Sequence, residues 1–181
     1  MTPVQCNTVI CGLTEGEVSD VEIVPISERH IEGYNRCLDS VARERRYIGF
    51  VKGPSLESSR EYVLSNIRDG VPQFVAVDGD EVVGWCDISP GRREGFTHCG
   101  TLGMGLIRGY RGQGIGTRLM ERTIEAAKAR GIERVELEVY ASNTPAVSLY
   151  EKRGFVHEGV KRRARKLDGV YDDSLIMALF I

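Results

Sequence analysis

The stretch LIRGYRGQGIGTRLMERT, residues 106 to 123, runs from an apolar segment through four glycines into apolar residues at helical spacing. A helix that begins there has unpaired amide N–H groups and a partial positive charge at its start, and bare glycine backbone lets an anion come close to both. Phosphate is the anion that suits such a place. The dinucleotide pattern G-x-G-x-x-G fails, because Thr117 stands where its last glycine belongs. A Walker A loop also fails, since Gly109 leads after four residues to Gly114-Ile115-Gly116 and not to Gly-Lys-Ser/Thr.

Around this loop the chain alternates between two hydrophobic periods. VEIVPI (21 to 26) alternates as a strand, and Ile31, Tyr34, Leu38 and Val41 recur at helical spacing. ARERRYIGFVKGP is a loop, after which Ser58 or Ser59 is expected to cap a second helix that ends near Asp69-Gly70. QFVAV and EVVGWCDIS flank Asp78-Gly79-Asp80 as a hairpin. HCGTLGMGLI (98 to 107) is a strand whose glycines suggest a bulge or a close backbone contact. A helix carrying Ile115, Leu119, Ile124 and Ala127 follows, then the alternating strand ERVELEVYAS. Pro145 opens a short helix that stops at Gly154, and Asp168-Gly169 turns a final hairpin. Paired strands at both ends of a strand, helix, strand, helix centre give an α/β (α+β) sheet with helices on its faces.

With 181 residues, 41% of them hydrophobic and 28% charged, the chain suits one domain with a real core. A net charge of -2 gives no general reason to expect nucleic acid or a membrane surface as a partner. No apolar run reaches the roughly 20 residues of a membrane helix, and MTPVQCNTVICGL lacks the charged start and apolar core of a signal peptide, so the expected location is cytoplasmic. The cysteines at 6, 11, 37, 86 and 99 form no C-x-x-C pair, and neither a disulfide framework nor a metal site is expected. Residues 1 to 20 are an N-terminal extension, either a flexible lead or an extra edge segment, ahead of a domain at 21 to 181.

Arg111-x-x-Gly114-x-Gly116 opening a helix resembles the pyrophosphate-binding motif of the GNAT superfamily of acyl-CoA-dependent N-acyltransferases. Further along, NTPAVSLYEKRGF resembles that superfamily's N-x-x-A-x-x-L-Y-x-x-x-G-F segment at Asn143, Ala146, Leu149, Tyr150, Gly154 and Phe155. The resemblance covers residues 21 to 181. It implies a mixed, mostly antiparallel sheet of six to seven strands, splayed between the fourth and fifth, with about four flanking helices. It also implies acetyl-CoA as co-substrate, no metal, a primary amine as acceptor, and a homodimer as a frequent assembly.

The resemblance puts the pantetheine arm along Met104, Leu106 and Ile107, and the diphosphate on the loop Gly112, Gln113, Gly114, Ile115, Gly116 and Thr117, with Arg111, Arg118 and Lys152 as candidate cations. Asn143 either holds the arm or helps cap its helix. Tyr150 is the expected general acid for the departing thiolate, or else packs in the core. The candidate base is His98, which has the right intrinsic pKa and sits where the amino-acid branch often carries histidine; Glu94, Asp87 and Glu136 stand behind it. A lysine-like amine costs roughly 4.6 kcal/mol to deprotonate at pH 7, an α-amine about 1 kcal/mol, so an α-amine needs little help from a base.

The tail Glu158-Gly159, Arg163, Asp168-Gly169, Tyr171 and Asp173 resembles the branch holding amino-acid and small-amine acetylases. Acceptor identity is expected mainly in the first two helices and their loop, VARERRYIGFVKGP, with Arg46, Tyr47 and Phe50 as pocket candidates. A protein N-terminus or lysine, or a non-catalytic acyl-CoA sensor, are the alternatives.

Overall fold

Val135, Leu137 and Val139 turn into the core while Arg134, Glu136 and Glu138 face the other way, as period-two alternation requires of a half-covered strand. The same rule, with helical periodicity between strands, builds the molecule. The computed structural model describes residues 21–181, so the expected N-terminal extension lies outside the described residues. The elements are β1 (Glu22–Pro25), α1 (Ile31–Arg43), α2 (Leu56–Asp69), β2 (Gln73–Asp78), β3 (Glu81–Pro90), β4 (Cys99–Leu106), α3 (Ile115–Ala129), β5 (Arg134–Tyr140), α4 (Thr144–Lys152), β6 (Val156–Leu167) and β7 (Val170–Phe180). The sheet has seven strands in the order β1-β2-β3-β4-β5-β7-β6, with β7 returning between β5 and β6.

One local expectation is corrected. The cap of α2 is Ser55, whose hydroxyl accepts the Ser58 N–H at 3.1 Å, whereas Ser58 and Ser59 lie inside the helix. Ser59 is buried and accepts a hydrogen bond from the Asn35 side chain at 2.9 Å. Helix α2 ends on Gly70 in the left-handed conformation, as expected.

All neighbouring strands run antiparallel except β4 and β5, which the crossover through α3 makes parallel. That pair is joined only from Cys99↔Arg134 to Thr101↔Glu136. Beyond it, β4 stays with β3 up to Leu106 and β5 stays with β7 up to Tyr140, so the two halves of the sheet part at their C-terminal ends. Core residues of α3 and α4 fill one face, and α1 with α2 covers the β1–β4 half of the other.

The glycines of β4 do not mark a bulge. Its register with β3 is unbroken from Gly84↔Leu106 to Pro90↔Gly100. Gly105 is bare because the Trp85 indole occupies the space of a side chain: a Cβ there would lie 2.3 Å from a ring atom. Trp85 in turn meets Tyr34 of α1 edge-on, at 5.9 Å between centroids.

Two residues along the same face of β3, Asp87 is buried beside Gly103, with the Tyr62 hydroxyl donating to it at 3.0 Å and Ser89 Oγ at 3.5 Å. Burial pushes its carboxyl up to about 6 despite those two hydrogen bonds. The folded chain therefore holds this proton more tightly than the unfolded chain, where the pKa is about 3.9. Stability from this group is fullest below pH 4 and declines as pH rises to about 6, by about 3 kcal/mol in all. Asp87→Asn, which can still accept from Tyr62, should remove that slope. Melting curves between pH 4 and 7 should show the variant gaining on the wild type as pH rises; parallel curves would refute the assignment.

Candidate active site

Where β4 and β5 part, their facing edges bound a cavity of about 760 Å³ that reaches from the glycine loop before α3, past α4, to the loop after α1. The volume suits a long, narrow ligand. Its chemistry follows from backbone groups left without partners.

The Ile107 N–H bonds to the Val83 carbonyl at 3.0 Å. By alternation, Gly105 and Gly103 also point their peptide groups at β3, while Leu102, Met104 and Leu106 turn theirs toward the gap. Met104 and Leu106 line the cavity; Ile107, expected beside them, has its N–H engaged by β3 and stands outside. At the end of β4 the chain turns through Gly112 and Gly114, at φ +77° and +80°, a conformation glycine adopts without steric cost. The first helical bond of α3 runs from Arg118 N–H to Gly114 carbonyl at 3.1 Å, and among the described residues no backbone acceptor meets the amides from Gly112 to Thr117. With no acidic residue in the first turn of α3, those amides form a nest for an anion.

Among the expected loop residues, Gly112, Gly114, Gly116 and Thr117 line the cavity. Gln113 holds the turn by donating to the Gly109 carbonyl at 2.8 Å, and Ile115 drives its side chain into the core. Lys152 lines the cavity and makes no salt bridge among the described residues, and Arg118 is an exposed cation on the first turn of α3.

Arg111 is held differently from a free phosphate ligand. Its guanidinium donates to the Leu106 carbonyl at 2.9 and 2.7 Å, makes a two-pronged pair with Glu44 at the end of α1, and stacks 4.5 Å above the Tyr47 ring. The side chain thus closes one free carbonyl of β4 and joins the glycine loop to the loop after α1.

On the β5 side, Asn143 is the N-cap of α4 yet makes no side-chain cap bond, and its buried amide faces the cavity. The Tyr150 ring is buried against Phe155, and its hydroxyl forms no hydrogen bond with another described residue. Burial raises its pKa well above the usual range near 10, so it stays a protonated donor.

His98 is not brought to this place. It is exposed at the start of β4, with its ring 3.3 Å from Cys99 Sγ and its carbonyl taking the Glu133 and Arg134 N–H groups. Six residues at about 3.3 Å each separate it from Met104. Glu94 lies on an exposed turn, Glu136 at the last paired rung, and Asp87 beneath Gly103; none of them lines the cavity. The carboxylate that does is Glu138, which accepts the Lys161 ammonium at 2.5 Å, and Lys161 holds it below the usual carboxylate range. Beside it are Tyr140 and Ser174, whose buried hydroxyl lies next to the Glu138 carboxylate and meets no partner in full hydrogen-bond geometry among the described residues. Tyr47 also lines the cavity, with Ile48 and Gly49, whereas Arg46 and Phe50 are exposed.

Glu138 was legible in principle. An anion loop at the C-terminal end of β4, with β5 parallel to β4, places the site at the C-terminal ends of both strands. That favours Glu138 and Tyr140 over His98 and Glu136.

These residues fit coenzyme A: an anion nest, a free strand edge for an amide-bearing arm, and an unpartnered phenol and amide along the gap. Residues 36–155 match the model of the family described as Acetyltransferase (GNAT) family. The chain is similar to L-amino acid N-acetyltransferase AaaT of Escherichia coli (strain K12), 34% identical over 113 residues, or 61% of this chain and 69% of that protein. It is also similar to [Ribosomal protein bS18]-alanine N-acetyltransferase of the same strain, 39% identical over 70 residues, spanning 39% of this chain and about half (47%) of that protein. A solved GNAT family acetyltransferase from Streptococcus pneumoniae superposes with TM-score 0.83 at 26% identity, over 90% of this chain and 100% of that one.

Replacing Gly114 with Val forces a β-branched residue to φ +80° and crowds the nest. Titration calorimetry should show coenzyme A binding weakened at least tenfold, about 1.4 kcal/mol, with pantetheine, which lacks the diphosphate, bound as before. Equal losses for both ligands would place the nest's role elsewhere.

Proposed function

Because the chain belongs to the GNAT acetyltransferase family, we propose that it moves the acetyl group of acetyl-CoA to the primary amine of a small acceptor, an amino acid or similar amine, by direct attack with both substrates bound. The observation that carries this reading is the two-ended cavity. An anion nest and a free strand edge occupy one end, and the Glu138 carboxylate with the Ser174 hydroxyl beside it occupies the other. The similarity to an L-amino acid N-acetyltransferase supports the acceptor class.

The amides from Gly112 to Thr117, with Lys152 and Arg118, hold the diphosphate end. Met104 offers its N–H and carbonyl, and Leu106 its N–H, to the arm as a neighbouring strand would, and Asn143 adds a donor and an acceptor from the opposite side. Orientation of the thioester in this gap supplies much of the rate.

Glu138, anionic across the neutral range, receives the acceptor as its ammonium, and its proximity to solvent gives the proton a way out. An α-amine then reaches its neutral form at a cost of only about 1 kcal/mol at pH 7, within what a carboxylate and water can handle without a strong base. Tyr150 donates its proton, or a strong hydrogen bond, to the sulfur as the carbon–sulfur bond breaks.

Thiol release from acetyl-CoA, measured across free amino acids, polyamines and peptides, tests the reaction class. Binding of the coenzyme without turnover on any of them would leave a sensor. Tyr150→Phe should lower kcat by about 10²-fold or more while the affinity for acetyl-CoA stays within about twofold. Glu138→Gln should act chiefly on the acceptor KM. With the phenol's pKa raised, wild-type kcat should show no fall up to about pH 10 from loss of that proton. A Tyr150→Phe enzyme with undiminished kcat would remove the residue from the chemistry.

A further inference from the structure

The structure ties the two loops that flank the acceptor end of the cavity to each other. Arg45, two residues before the cavity wall of Tyr47, Ile48 and Gly49, donates to both oxygens of Asp168 at 2.8 and 2.9 Å. Asp168 sits at the tip of the β6–β7 hairpin, 123 residues away in sequence. A second tie lies beneath the first: Arg165 donates to the Arg45 carbonyl at 2.6 Å while its guanidinium covers the Tyr140 ring at 4.7 Å. Tyr140 also lines the cavity, so through Arg165 the loop after α1 is joined to the β5 side of the site.

Arg45 has φ +57°, which side chains other than glycine seldom adopt unless the surroundings hold them, while Asp168, at +50°, takes it as the first residue of the two-residue Asp168-Gly169 turn. The hairpin is shaped to reach this point, because the Asp173 carboxylate accepts the Arg163 N–H at 2.7 Å where the β6–β7 register shifts. Both partners of the Arg45–Asp168 pair remain well exposed, at 43% and 72% of the side chain, so the pair is one that thermal motion can part.

We propose that this bridge sets the acceptor's size: it closes the gap through which a peptide chain attached to the reacting amine would leave, and so restricts the enzyme to amines as small as a free amino acid. The proposal rests on the acetyl-transfer reading above. A free amino acid ends inside the cavity, whereas a peptide continues at up to about 3.5 Å per residue and needs an exit between the two loops. Arg45 and Asp168 act on specificity and touch no reacting atom.

Asp168→Asn and Arg45→Asn remove the charge and suit positive φ, so both should fold. Thiol release is measured with free alanine and with an alanine-led tetrapeptide amide, alongside chymotryptic cleavage of the loop at Tyr47 and Phe50, sites that neither variant alters. Each variant should raise kcat/KM on the tetrapeptide at least tenfold, leave free alanine within about twofold, and cleave faster in the loop. An unchanged ratio of the two acceptors, or a wild type that already uses the peptide as well as the amino acid, overturns the bridge's role. If none of the three proteins turns over any free amino acid, polyamine or peptide of the panel above while acetyl-CoA still binds, the acetyl-transfer reading and the proposal fall together, a result distinct from failure of the bridge alone.

Discussion

The loss of pairing between β4 and β5 after Thr101↔Glu136 governs the rest of the structure. A strand edge inside a protein carries N–H and C=O groups that must find partners, and buried groups left alone cost free energy comparable to a hydrogen bond each. Here Leu106 satisfies its carbonyl through Arg111, and Met104 keeps its groups toward the gap. The helix that follows adds the unpaired amides of its first turn. Both sets of groups converge on one cavity, so a ligand with amides at one end and phosphates at the other completes bonds that the fold leaves open.

Arg111 shows how the loop is kept in shape when that ligand is absent. Its pair with Glu44 and its stacking on Tyr47 make the end of α1, the start of the acceptor loop and the glycine turn into one connected unit. Glu44 and Arg45 are consecutive, and they face opposite ways: the first reaches the coenzyme loop, the second the β6–β7 hairpin. The segment after α1 is thereby anchored at two adjacent residues to the two sides of the site. The two ends of the cavity share a wall held by these ion pairs and by the packing of Tyr47 and Ile48 on the α1 core.

Much of this was legible from residue order alone. The glycine loop, the alternation of β5, the two Asp-Gly hairpins and the Asn143 to Phe155 segment point to the observed elements because each rests on local rules of period, capping and turn geometry. The tail pattern from Glu158 to Asp173 proved to be hairpin architecture: Glu158 pairs with Arg134, Asp173 fixes the irregular register, and Asp168 reaches Arg45. The glycines of β4 suggest a bulge or a close backbone contact, and at Gly105 the cause lies on another strand, in the Trp85 indole. The intrinsic pKa of His98 and its place beside the strand say nothing of which end of that strand opens.

The sequence by itself determined where strands, helices and turns fall, and that a helix opens behind glycine-rich backbone before residue 117, since those depend on neighbours within a few positions along the chain. Only the tertiary structure decided that the sheet parts after the third rung of β4 and β5, that Glu138 and not His98 faces the gap, and that Arg45 meets Asp168 across the mouth. These outcomes depend on register, twist and side chains from distant segments competing for the same space. No local pattern encodes them, because the interactions that choose among them do not exist until the strands have paired.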